Sequence, residues 1–121
     1  MTVETALKII YDNNSCNENS FVYLLHEDCI FSIEKFWEYY DSIAVLAETD
    51  AKDPELTMQI NLSYQRILKE FIAHFDPNDV AVMENFPDNY TEYIERIDRA
   101  ILAYYSGNIR LLEDKRFNLQ K

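Results

Sequence analysis

Residues 32–55 read SIEKFWEYYDSIAVLAETDAKDPE, and the spacing of their apolar positions sets the fold class. At 100° per residue a helix here gathers Ile33, Phe36, Trp37, Tyr40, Ile43, Ala44 and Ala47 on one face. Glu34, Glu38, Asp41 and Glu48 form a stripe down one flank, with Val45 among them. Tyr39 and Leu46 fall on the opposite flank, where partial exposure is expected. Glu34 and Glu38 are like charges at i,i+4, a pairing that opposes a helix by about 0.2–0.5 kcal/mol. With no matching Lys or Arg, the stripe is expected to be unpaired.

The same three-and-four spacing recurs on both sides of this stretch. Thr2 can cap a first helix with Val3, Ala6, Leu7 and Ile10 on one side, and the polar run at 12–20, DNNSCNENS, ends it. Ser20 can cap the segment FVYLLHEDCI at 21–30, which is apolar nearly all round and reads as a buried helix or a strand. Its length and the following Ser32 cap favour helix. Asp53-Pro54-Glu55 is a start signal: Asp caps, proline at the first position loses no needed donor, and an acid in the first turn meets the helix dipole. The helix it opens places Leu56, Ile60, Tyr64, Ile67, Leu68, Phe71 and Phe75 in one wide stripe and is expected to be the central helix. Asp76-Pro77 repeats the signal and predicts a short helix over 76–84, stopped before Pro87.

A helix over 88–106 then collects Tyr90, Tyr93, Ile94, Ile97, Ala100, Ile101, Tyr104 and Tyr105, with Gly107 placed to terminate it. On its solvent side Glu92 precedes Arg96 and Glu95 precedes Arg99 at i,i+4, so this face is expected to be stabilised by its own charges. A last short helix is expected through Ile109 and Leu112, followed by Lys115, Arg116 and Lys121. With 48% hydrophobic residues, one glycine and three prolines, the 121-residue chain can fill one core and has few breakers. The expectation is an all-α single domain over 1–121, a bundle of about five to seven helices.

The net charge of −11 disfavours nucleic acid and anionic membranes as direct ligands, since both need a positive footprint, and favours a basic protein partner. The same acidity can also serve solubility alone. Its distribution is uneven: residues 1–65 hold 12 acids against Lys8, Lys35 and Lys52, whereas 66–121 hold 10 acids against 8 bases. Cys16 and Cys29 are expected as free thiols in a chain that needs no disulfide scaffold. The opening MTVETALKII lacks the basic and uninterrupted apolar regions of a signal peptide, and no apolar run approaches the roughly 20 residues that span a bilayer. A cytoplasmic location is expected.

No constellation for catalysis stands out. Glu-x-x-His, the ligand pattern of di-metal bundles, is absent. Glu70 and His74 at i,i+4 can share an ion, but His74 borders an apolar stripe, where a structural histidine is far commoner. His26 lies beside Glu27 and Asp28 with no partnered nucleophile. Cys16 lies in a polar loop with no sequence-adjacent Lys, Arg or His, and Cys29 follows two acids. With a single glycine, a phosphate-cradling loop is excluded. The chain is read as a non-enzyme with no cofactor and no metal. The alternatives are a helical adaptor or oligomerisation module and, behind that, a metal-dependent enzyme built on Glu70 and His74.

What remains is surface. Glu34, Glu38, Tyr39, Asp41, Val45, Glu48, Asp50, Asp53 and Glu55 form the candidate partner-binding set, acids around an apolar and aromatic contact. Glu38-Tyr39-Tyr40-Asp41 resembles the acid-flanked tyrosine pair of the DNase-colicin immunity proteins. In size, charge and class the whole chain looks like the small acidic all-α immunity proteins that bacteria hold against nuclease toxins, including those of contact-dependent growth inhibition. The resemblance implies a non-enzymatic protein that neutralises a basic toxin, a nuclease, by covering its active site with an acidic surface.

Overall fold

The computed structural model describes residues 1–50, 52–79, 82–113, 119 and 121. Among them are five α-helices, α1 (Val3–Asn14), α2 (Phe21–His26), α3 (Ile33–Ala47), α4 (Pro54–Phe75) and α5 (Tyr90–Ser106), then a 3₁₀ turn at Ile109–Glu113. The described residues contain no strand, so the all-α expectation is met. Four starts follow the cap signals: Thr2, Ser20, Ser32 and Asp53 each accept a backbone N–H three residues on. Gly107 ends α5 at φ +74°, the left-handed conformation that glycine adopts without a Cβ clash. Segment 21–30 resolves as helix, one of only six residues.

The buried side chains form one continuous cluster drawn from all five helices. α3 packs between α1 and α5, and α4 against α1 and α2. Between α4 and α5 the links include three hydrogen bonds, Thr57 Oγ1 to the Tyr104 hydroxyl at 2.9 Å, the Tyr105 hydroxyl to Asn61 at 2.6 Å, and the Tyr64 hydroxyl to Asp98, together with the Phe75 and Tyr90 rings, 5.0 Å apart. The four long helices therefore close in the order α1, α3, α5, α4, with α3 and α4 on the diagonal. Tyr39 spans that diagonal. Its hydroxyl meets Ser63 Oγ at 2.7 Å and the Ile60 carbonyl at 3.4 Å.

This corrects three expectations. α3, and not α4, is the central helix; α4 runs out past the core, leaving Ile72 and Phe75 exposed. Tyr39 and Leu46, placed on a partly exposed flank, are 0% and 1% exposed, because a helix packed on both sides and across the diagonal buries far more than one stripe. Ile33, assigned to the core face, is exposed at the first turn of α3, ahead of where its neighbours cover it.

The expected helix over 76–84 is not formed by its described residues; Val80 and Ala81 lie outside them. Side chains compete for the backbone there. Asp76 accepts from Asn78 N–H at 2.9 Å, and His74 Nδ1 accepts from Met83 N–H at 3.1 Å, drawing buried Met83 inward. Asn85 then clamps the backbone of Phe31, accepting its N–H at 3.0 Å and donating to its carbonyl at 2.9 Å. Phe31 sits amid Phe21, Phe36, Phe71, Phe86 and Tyr93, with ring centroids 4.9–6.3 Å away.

Candidate functional site

The α3 acids take the outward face of their helix. Tyr39 points to α4, and Val45 lies 240° round from it in the outward direction, so Glu34, Glu38, Asp41, Val45 and Glu48 form a ridge turned away from α4. Val45 and Ala44 floor a shallow groove of about 300 Å³ with Asp41, Glu48, Met1 and Lys121 on its sides. Asp53 and Glu55 line a different groove, beside Leu7 and Tyr11 of α1. The candidate set is thus divided between opposite sides of the bundle, with Asp50 in the connection between them. Tyr39 is removed from any surface by its burial.

The ridge is not free of cations. Lys35 Nζ lies 3.1 Å from Glu38 Oε2, and Lys121 Nζ lies 2.6 Å from Asp41 Oδ1 and over the Trp37 ring at 5.6 Å. Both pairs are partly solvated, which puts each in the range of about 0–1 kcal/mol. Lys35 was readable from α3 alone; Lys121, 80 positions from Asp41, was not. Glu34, Glu48, Asp50, Asp53 and Glu55 make no ion pair among the described residues. Glu48 occupies the C-terminal cap of α3, where the helix dipole disfavours a negative charge. Four exposed carboxylates therefore lie in and beside the connection from α3 to α4, with Lys52 among them in sequence and one of the acids at an unfavourable position.

The contrast expected from the last long helix also changes. Arg96 is half-buried rather than solvated: its guanidinium lies 4.7 Å over the Tyr40 ring and donates to the Leu112 carbonyl at 2.7 Å. It ties α5 to α3 and to the 3₁₀ turn.

The groups weighed for chemistry have structural partners. Glu70 turns from His74 to His26, whose Nδ1 it meets at 2.7 Å, and His74 stacks on Phe86 at 4.2 Å. Among the described residues no three His, Cys, Asp or Glu side chains are grouped to hold a metal ion. Cys16 and Cys29 are free thiols. Folding brings Cys16 to a cavity of about 190 Å³ with His26, Arg66 and Lys69, bases that its polar loop did not show. Burial nevertheless raises the Cys16 thiol above its ordinary range against the pull of Arg66, the opposite of an activated nucleophile.

No described helix is long and apolar enough to cross a membrane. Set against known protein families, curated proteins and solved structures, the chain matches none of them.

Proposed function

We propose that this chain is a non-enzymatic inhibitor that binds a basic protein through the acidic end of its bundle and blocks that protein's action. The supporting observation is that Glu48, Asp50, Asp53 and Glu55, in and beside the connection from α3 to α4, are all exposed and make no ion pairs among the described residues. A cluster of this kind creates a field that steers a cationic partner and speeds its association. In this proposal the partner is a toxin domain with nuclease activity, the inhibitor works in the cytoplasm of a bacterium, and the acidic end covers the toxin's nucleic-acid-binding face. Glu38 and Asp41 lie further along the same ridge and exchange their lysine partners for the toxin's cations. Tyr39 and Tyr40 are core residues, so the likeness to colicin immunity proteins rests on the flanking acids alone.

The immobilised chain is expected to capture a basic protein from its source cells and to release it near 1 M salt, where the Debye length is about 3 Å. The released protein should cleave nucleic acid and lose that activity on equimolar addition of the chain. A salt-resistant complex, or cleavage untouched by the chain, overturns the proposal.

The adaptor or oligomerisation reading has one observation of its own. Exposed Met58 and Leu62 line an open groove of about 630 Å³ along α4. Salt-insensitive self-association lost in Met58→Asp would favour that reading.

A further inference from the structure

Val3, Leu7 and Tyr11 stand at i, i+4 and i+8 on α1, and all three are exposed, by 40%, 41% and 53%. Their helix buries instead the line through Ala6, Ile10 and Asn13, so the apolar row is turned outward and α1 is amphipathic about the wrong axis for its own fold. Leu7 and Tyr11 form one wall of a groove of about 260 Å³; Leu56 lies at its floor, and Asp53, Glu55 and Gln59 of α4 form the other wall. Glu4 flanks the row on the side away from α4. Glu4, Asp53 and Glu55 make no ion pair among the described residues. Of the nearby bases, Lys8 is paired with Asp12 at 2.7 Å, and Lys52 lies 5.4 Å over the Tyr104 ring. Arg66, which lines the Cys16 cavity further along α4, reaches the Asn14 carbonyl at 3.2 Å.

From this juxtaposition we infer that the groove between α1 and α4 is a docking site for an amphipathic helix of a partner protein, with basic residues beside its apolar row. A row at four-residue spacing is the ridge that another helix's groove accepts, at a crossing near −50°. Acids on both sides of the row match cations on both sides of the guest helix. A second copy of this chain fits poorly, since it would set Glu4, Asp53 and Glu55 against its own acids at a net charge of −11 per chain. The inference rests on the proposed binding of a basic protein and adds the apolar contact that charge alone does not supply.

The probe is a synthetic helical peptide with leucines at i, i+4 and i+8 flanked by lysines, compared with a peptide of the same composition whose leucines are scattered round the helix. Binding is followed by fluorescence anisotropy. The row peptide is expected to bind roughly tenfold more tightly than the scattered one, and Leu7→Asp and Tyr11→Asp to lose roughly tenfold each. Met58→Asp, which lies in the other groove, should leave binding unchanged, and circular dichroism should show helix content retained in all three. Equal binding of the two peptides, or no loss in Leu7→Asp and Tyr11→Asp, overturns the inference. Concentration-dependent dimers in sedimentation that vanish in Tyr11→Asp also overturn it, in favour of a second copy. If the protein captured from cells is lost on reversing Glu48 and Asp50 but retained by Leu7→Asp and Tyr11→Asp, the proposed function stands and the groove inference falls.

Discussion

Tyr39 carries the largest difference between what a helical wheel shows and what the bundle does with a side chain. Helical spacing puts it on a partly exposed flank opposite the acidic stripe, yet its hydroxyl crosses the core to Ser63. Removing that hydroxyl in Tyr39→Phe leaves Ser63 still donating to the Ile60 carbonyl at 3.0 Å, so the expected cost is about 1 kcal/mol in a urea titration at pH 7. The same variant should change the alkaline limb. Burial pushes the Tyr39 phenol well above its ordinary value of 10, and burial, then the Asp98 hydrogen bond, does so for Tyr64. The native state therefore keeps protons that the unfolded chain surrenders near pH 10, so stability is level below that pH and falls as pH rises beyond it. Unfolding midpoints measured from pH 8 to pH 11 should decline less steeply in Tyr39→Phe than in the native chain. Asn13 shows the reverse difficulty. It belongs to a polar run that reads as loop, yet it is 2% exposed, donates to the Ile9 carbonyl at 2.9 Å and accepts Val22 N–H at 3.0 Å, serving α1 and α2 together. A buried asparagine is invisible to hydrophobic periodicity because its value lies in the partners it satisfies.

At the scale of elements, local chemistry was legible and competition for it was not. Ser20, Ser32 and Asp53 start helices because the cap oxygen and the N–H it accepts lie within one turn, inside the range a sequence displays. Asp76-Pro77 carries the same signal, but the segment after it answers to groups far off in sequence, chiefly Phe31, which Asn85 holds across 54 positions. Asn85→Ala should free both Phe31 backbone groups in a buried aromatic setting and cost about 1–3 kcal/mol by denaturant unfolding. A cost below about 0.5 kcal/mol would mean that water replaces both bonds. α2 follows the same pattern. Six residues are too few to be stable as an isolated helix, and its form comes from the Ser20 cap, the Asn13 bond and burial of Phe21, Val22 and Leu25.

Over the whole molecule, fold class follows from composition and apolar spacing, while the site depends on which helices are diagonal. One stretch of sequence, 34–55, supplied all nine candidate residues, but α3 and α4 face opposite ways, so continuity along the chain did not become continuity on the surface. What survives folding is the exposure of Glu48, Asp50, Asp53 and Glu55 in and beside the segment that joins the two helices. Asp53 also caps α4, which makes Glu48, Asp50 and Glu55 the cleaner positions to change. Reversing all three should leave stability within about 1 kcal/mol, because Lys at the C-terminus of α3 improves its dipole and Lys in the first turn of α4 worsens that one. The decisive measurement is the association rate of the captured basic partner with the native chain and with Glu48→Lys, Asp50→Lys and Glu55→Lys combined, over a range of ionic strength. An inhibitor that works through this acidic end should associate fast at low salt and slow steeply as salt rises, with the triple variant roughly tenfold slower and nearly salt-independent. Equal rates and equal salt dependence in the two proteins would contradict it.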